Sequence, residues 1–229
     1  MEVYAIKLPR IIPTVHFDQL LNFVSLSQSE RINRFVREKD AYRTLLGEVL
    51  IRSIVCQKLN KKNKEIYFIF NEYKKPYLHN HSSFFFNISH SGDWVVCVID
   101  QMEIGIDIEK IQSIDLELAN SFFSLKEYNL LISITNYRQK LDFFYELWTL
   151  KESYIKAIGK GLSIPLDSFS IIKDTSQFQL ESQYFSENWY FKQYEIDQQH
   201  KLSICAKNID FPSKIIFKDL STLLKEIKT

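Results

Sequence analysis

The chain has 229 residues, with 29 Lys+Arg against 28 Asp+Glu for a formal net charge of +1, and it is 45% hydrophobic and 25% charged. This composition excludes a disordered chain. The balanced charge excludes the global basic field of a generic nucleic-acid coat protein, so an anionic ligand has to be held by local charges. The apolar pattern predicts a strand at Val3–Leu8 and helices near Phe17–Val24 and Ser29–Val36. A longer helix from Asp40 to Leu59 follows, with Tyr42, Leu45, Leu46, Val49, Leu50 and Ile54 at helical spacing. Strand-like runs come next at Ile66–Phe70, Phe84–Ile88, Trp94–Ile99 and Ile104–Glu109. Helices return at Leu116–Phe123, Lys126–Ile132 and Lys140–Ile158, then strands at Phe169–Ile172, Gln177–Leu180, Trp189–Ile196 and Lys201–Ala206. Helices, strands, helices, strands is the order of an α+β protein in two lobes. Residues 101–103 form a plausible boundary, dividing the chain into 1–103 and 104–229.

A six-residue echo supports two related halves. Glu48-Val-Leu-Ile-Arg-Ser53 resembles Glu152-Ser-Tyr-Ile-Lys-Ala157, and each segment lies late in a long helix that precedes strands. Cys56, Cys97 and Cys205 are odd in number, far apart and set in apolar runs, so they read as free thiols of a reducing compartment and place the protein in the cytoplasm. No apolar run approaches the roughly 20 residues of a membrane span, so no membrane association is expected.

Three segments carry candidate chemistry. In Gly105-Ile106-Asp107-Ile108-Glu109 the two acids project from one strand face. Side by side they repel, unless a cation such as Mg²⁺, which takes oxygen ligands and substrate phosphates, lies between them; acids facing solvent are the alternative. In Trp148-Thr-Leu-Lys151-Glu152-Ser-Tyr-Ile-Lys156, Glu152 and Lys156 share a helix face, either as a surface pair or as part of a site. In Asn87-Ile88-Ser89-His90-Ser91-Gly92 hydroxyls and an imidazole lie on a turn that could grip phosphate or satisfy its own backbone. There is no G-x-S-x-G nucleophile elbow and no P-loop spacing.

Together Asn87-Ile-Ser-His90-Ser, Gly105-Ile-Asp107-Ile-Glu109, Trp148-x-x-Lys151-Glu152-Ser, Lys156 and Gly159-Lys-Gly resemble the 4′-phosphopantetheinyl transferases of the surfactin-synthetase-activating type. The likeness extends over nearly the whole chain. It implies two similar α+β lobes related by a pseudo-twofold axis, with the active site between them. It implies transfer of the phosphopantetheine arm of coenzyme A to a serine of an apo carrier protein of a peptide, polyketide or fatty-acid synthase, with release of adenosine 3′,5′-bisphosphate. Mg²⁺ is the implied cofactor, with Mn²⁺ able to substitute, and a monomer is expected.

Position by position, the resemblance makes Asp107, Glu109 and Glu152 metal carboxylates. His90 and Lys156 contact the pyrophosphate, with Ser89 nearby. Arg31 and Thr44 hold the 3′-phosphate, and Lys75 and Pro76 line the adenine pocket largely through their backbone. Glu152, Lys156 and His90 are the expected catalytic residues, and Glu127 is a second candidate base. Two departures stand out: Gln28 replaces a basic residue common in relatives, and Lys74 replaces a common glycine. An idle coenzyme A-binding module, or a Mg²⁺-dependent phosphatase using Asp107 and Glu109, are the competing readings.

Overall fold

In a computed structural model, which describes residues 1–174, 177–182 and 188–227, the chain runs twice through one series of elements. The first pass is β1 (Glu2–Lys7), α1 (Thr14–Leu21), α2 (Leu26–Asn33), the long α3 (Glu38–Lys58), a hairpin of β2 (Phe68–Phe70) and β3 (Pro76–Leu78), then β4 (Phe85–Ser91) and β5 (Trp94–Asp100). The second is β6 (Ile104–Lys110), α4 (Leu125–Ser133), the long α5 (Tyr137–Ile158), a hairpin of β7 (Phe169–Asp174) and β8 (Gln177–Ser182), then β9 (Tyr190–Tyr194) and β10 (His200–Ala206). In each pass the first strand pairs antiparallel with the last, and the last with the one before it. The two resulting sheet orders, β1-β5-β4 and β6-β10-β9, are the same. The fold is α+β with two similar lobes, and the six-residue echo falls in the two equivalent helices, α3 and α5.

Strand alternation distributes the apolar residues among three cores. Tyr4, Ile6, Val95 and Cys97 turn towards α3, where Leu45, Leu46, Val49 and Leu50 meet them. Their alternates Val3, Ala5, Val96 and Val98 turn the other way and pack against Ile104, Ile106, Ile108, Leu202 and Ile204 of the second sheet. The third core lies under the second sheet, around Phe144, Leu147, Leu150 and Tyr154 of α5. Each such side chain taken fully from water contributes roughly 1.5–3 kcal/mol before chain entropy is set against it. Cys56, Cys97 and Cys205 are free and buried.

Helix ends are set locally. Asn136 caps α5 by accepting from the Gln139 N–H, and Gly159 ends it in the left-handed region at φ 80°. Ser124 opens α4 in a reciprocal capping box with Glu127.

β4 and β6 lie side by side without a backbone ladder. Side chains take its place: Asn87 Oδ1, Ser89 Oγ and Ser91 Oγ accept from the N–H groups of Ile106, Ile108 and Lys110 at 3.0, 3.4 and 3.1 Å. This polar seam joins the lobes and places the Asn87–Ser91 motif against Asp107 and Glu109.

The structure departs from expectation in four places. The Asn87–Ser91 motif, expected on a turn, lies within strand β4 and pairs with β5. The tail returns to the first lobe: β11 (Ile216–Lys218) pairs in parallel with β1, and α6 (Leu220–Glu226) buries Leu223 against the α3 core. A second lobe of 104–229 therefore includes a segment that packs in the first, covering an otherwise open edge of β1. The helix expected at Leu116–Phe123 is a 3₁₀ segment over Leu116–Ser121. The hairpin strand β3, which opens on Pro76, was not expected.

The turn between β2 and β3 explains Lys74. Asn71 Oδ1 accepts from the Tyr73 and Lys75 N–H groups at 3.0 and 2.8 Å, and Lys74 is left at φ 67°. Glycine adopts that conformation without a Cβ penalty. Lys74→Gly is expected to stabilise the protein by about 0.5–1 kcal/mol, read as a higher urea midpoint at constant m-value. Lys74→Ala is expected to give no such gain.

Candidate active site at the lobe junction

The site begins with Gly105. A Cβ there would lie 2.1 Å from the Ser153 carbonyl and 2.4 Å from the Ala157 nitrogen, so only glycine lets β6 lie this close to α5. The next residues on the same strand face, Asp107 and Glu109, are thereby presented to the helix that carries Glu152 and Lys156. Lys156 Nζ pairs with Asp107 Oδ1 and donates to Ser89 Oγ at 3.1 Å. Ser89 Oγ donates to Asp107 Oδ1 at 2.9 Å, and Ser91 Oγ donates to Glu109 Oε2 at 2.7 Å. Both lobes therefore contribute to one cluster of charge.

Burial raises the pKa of Asp107, against the opposing pull of Lys156 and Ser89. Burial and then the Asp107 charge raise Glu109. Burial lifts Glu152 to about 7, with Asp107 and Glu109 adding to the rise and Lys156 opposing it. Burial alone would depress Lys156, but the surrounding carboxylates outweigh it and the ammonium is held more firmly than usual. Three acids and one lysine leave an excess of negative charge in a poorly solvated place.

That excess, together with the buried Asp107 Oδ2 that has no hydrogen-bond partner, suits a hard divalent cation with oxygen ligands. Lys156 now occupies the other Asp107 oxygen. Among the described residues no three His, Cys, Asp or Glu side chains are gathered closely enough to hold a metal ion. The donor set fits Mg²⁺ in kind, and its side chains are arranged around the lysine.

The other expected residues lie around this cluster. His90 is exposed beside Ser89 at the end of β4; partial desolvation and then the cations Arg43 and Lys156 lower its pKa. Thr44 is half-buried on α3, and Arg31 is exposed in the last turn of α2. Pro76 opens β3. Lys75 is buried, and its Nζ donates to the carbonyls of Ile104 and Ala157 at 3.2 and 2.7 Å.

Glu127 departs from the expectation of a second base. It is 1% exposed and pairs at 2.7 Å with Lys151, which is fully buried. Its carboxylate also accepts from the Ser124 and Ile171 N–H groups. Every strong contact of this pair is structural, because α4 turns the capping residue inward. Ser91, expected as one of the hydroxyls of a phosphate grip, instead donates to Glu109. The signal was the alternation of Asn87, Ser89 and Ser91 along a strand.

Comparison with known proteins bears on the whole chain. A family model described as the 4′-phosphopantetheinyl transferase superfamily matches residues 103–205, and one described as 4′-phosphopantetheinyl transferase, N-terminal, matches residues 13–102. The chain is 40% identical to 4′-phosphopantetheinyl transferase Sfp of Bacillus subtilis (strain 168), over 98% of this chain and 100% of that protein. It is 44% identical to 4′-phosphopantetheinyl transferase gsp of Aneurinibacillus migulanus, over 90% of this chain and 86% of that protein. A holo-(acyl-carrier-protein) synthase from Bacillus anthracis, solved in complex with CoA (3′,5′-ADP), is 18% identical and aligns with 46% of this chain and 94% of its own at a TM-score of 0.40. With identity of this level along nearly its full length, and with the matching motifs brought to one junction between two similar lobes, the chain belongs to the 4′-phosphopantetheinyl transferases.

Proposed function

We propose that this transferase moves the phosphopantetheine arm of coenzyme A to a serine of an apo carrier protein at the junction of β4, β6 and α5. The observation that carries this reading is the convergence of Asp107 and Glu109 from one strand with Glu152 and Lys156 from one helix. The serine hydroxyl attacks the β-phosphorus, forming a new P–O bond. The bridging P–O bond to the nucleotide breaks, and adenosine 3′,5′-bisphosphate leaves. The attacking hydroxyl must lose a proton. Glu152, close enough to Asp107, Glu109 and Lys156 to feel their charges, is placed to take it, directly or through water. Lys156, once released from Asp107, offers its ammonium to the pyrophosphate oxygens, and the exposed His90 ring offers a further donor.

Asp107, Glu109 and Glu152 are the residues that would hold Mg²⁺ or Mn²⁺, and the bound ion would neutralise pyrophosphate charge as it develops. The serine comes from the partner, which accounts for a site without its own nucleophile. The partner surface lies beyond the α5 terminus, where Leu162 is 72% exposed while Ile164 is buried. Lys160, Leu162 and Ser163 are the exposed residues of the segment 160–164 and are therefore available to a carrier. Among the described residues no helix is long and apolar enough to cross a membrane.

Mass spectrometry of an apo carrier incubated with coenzyme A tests the reading. A gain of one phosphopantetheine arm supports it. An unchanged carrier favours a binding module, and loss of phosphate from coenzyme A favours a phosphatase. At the nucleotide end, Arg31→Ala is expected to weaken coenzyme A by about 10–100-fold, the loss of one charge-assisted bond. Binding of 3′-dephospho-coenzyme A, followed by calorimetry, is expected to change little. Equal weakening of both ligands would remove Arg31 from the 3′-phosphate.

A further inference from the structure

The first lobe reaches into the second at a point that the carboxylate cluster does not use. The β2–β3 turn, residues 71–75, lies against the last turn of α5. Asn71 Nδ2 donates to the Gly159 carbonyl at 2.8 Å. Lys75 Nζ donates to the Ala157 carbonyl at 2.7 Å and to the Ile104 carbonyl at 3.2 Å. Lys75 is 7% exposed, so its ammonium has given up water for these two acceptors. Burial lowers its pKa to about 8, against the pull of Glu103.

The contact is close-packed. A Cβ at Gly159 would come within 2.7 Å of Lys75 Cδ, 3.2 Å of the Tyr77 hydroxyl and 3.4 Å of Asn71 Nδ2. Gly159 therefore does more than end the helix; it admits the lysine stem. The carbonyls of Ala157 and Gly159 belong to the end of an α-helix, where the last acceptors lack partners of their own and the macrodipole favours a cation.

The two elements that Lys75 joins are the ones that carry the charge cluster. Ile104 opens β6 three residues before Asp107. Ala157 follows Lys156 directly on α5. One ammonium thus ties the strand bearing Asp107 and Glu109 to the helix bearing Glu152 and Lys156, from a turn in the other lobe. Asn71 shapes that turn through the Tyr73 and Lys75 N–H groups, so both side chains act as one latch.

The geometry points to Asn71 and Lys75 as positioning residues that hold β6 and α5 in register for phosphoryl transfer. This inference rests on the proposed transfer reaction, and it assigns to the Lys75 side chain a task separate from any backbone contact with the nucleotide. Misplacement of a catalytic group by a fraction of an ångström slows a reaction without weakening ground-state binding.

The test compares Lys75→Met, which keeps the stem and removes the ammonium, with the wild type. Its kcat for carrier modification is expected to fall about ten- to a hundredfold, while KM for coenzyme A and the Kd of adenosine 3′,5′-bisphosphate stay within about twofold. Amide hydrogen exchange in residues 155–160 is expected to quicken in the same variant. Asn71→Ala is expected to shift both readouts in the same direction by less, and it decides the matter should Lys75→Met fail to fold. An unchanged kcat with unchanged exchange would overturn the latch. A loss confined to KM for coenzyme A would reassign Lys75 to the nucleotide pocket alone. If the wild type transfers no arm, the proposed reaction fails, and the exchange measurement still decides whether the turn holds the helix.

Discussion

Glu109→Ala and Glu152→Ala are expected to abolish carrier modification while making the metal-free protein more stable. Both acids are raised by burial and by neighbouring negative charge. A carboxyl whose pKa is higher in the folded state binds its proton more tightly there than in the unfolded chain. Its contribution to stability is therefore complete below the unfolded pKa and is lost as pH rises through the folded one.

For Glu152 that window runs from the ordinary 4.5 to about 7. At 1.36 kcal/mol per unit, and discounted for a half-buried group, the loss is on the order of 2 kcal/mol. The metal-free wild type is expected to lose stability across this range, and Glu152→Gln to flatten the curve, as read by urea denaturation at several pH values. Asp107→Ala is expected to be equally inactive but not more stable, because Asp107 is the direct partner of Lys156. Full turnover in any of the three variants, or in chelator, would remove the acids from the reaction.

Glu127→Ala is expected to have the opposite signature, with a large loss of stability and no loss of chemistry in molecules that remain folded. Removing Glu127 leaves the Lys151 ammonium fully buried, with the Leu166 and Phe169 carbonyls, the Phe169 ring and the weaker pull of the Asp167 charge around it. It also strips a partner from the Ser124 and Ile171 N–H groups. An uncompensated buried charge of this kind costs about 3–5 kcal/mol. Glu127→Gln combined with Lys151→Met removes both charges and is expected to recover most of that loss. The check is a urea midpoint for each variant together with kcat per folded molecule. A stable but inactive Glu127→Ala would restore Glu127 as a base.

These two carboxylates show what the sequence makes legible. Glu152 and Lys156 are four apart on a long periodic helix, and Asp107 and Glu109 are two apart on a strand, so each pair has a known face before any fold is known. Glu127 is the same residue type in the first turn of α4, yet its fate is set by the packing of α4 against β7, which no local pattern encodes. The polar seam is a similar case. Asn87, Ser89 and Ser91 alternate visibly, but their acceptance of the Ile106, Ile108 and Lys110 N–H groups depends on the approach of two edge strands from different lobes.

The tail was illegible for another reason. β11 has three residues and its pairing with β1 spans nearly the whole chain, so neither periodicity nor turn chemistry announces it. Lys75 was read through its place before Pro76, whereas its side chain finds its partners in Ile104 and Ala157 of the other lobe. The repeat itself was legible, because the echo of Glu48–Ser53 and Glu152–Ala157 lies in helices that occupy the same place in both lobes. In α3 the echoed pair has become a largely buried Arg52–Glu48 bridge, while in α5 Glu152 and Lys156 face the junction.

The proposed transfer requires Asp107, Glu109 and Glu152 to share one divalent cation at that junction, and Mn²⁺ binding followed by electron paramagnetic resonance with coenzyme A present tests this most directly. The wild type is expected to bind one Mn²⁺ per chain, displaced by excess Mg²⁺, and Asp107→Ala and Glu109→Ala are expected to lose it while still unfolding cooperatively. Equal Mn²⁺ binding by the wild type and both variants would contradict the assignment.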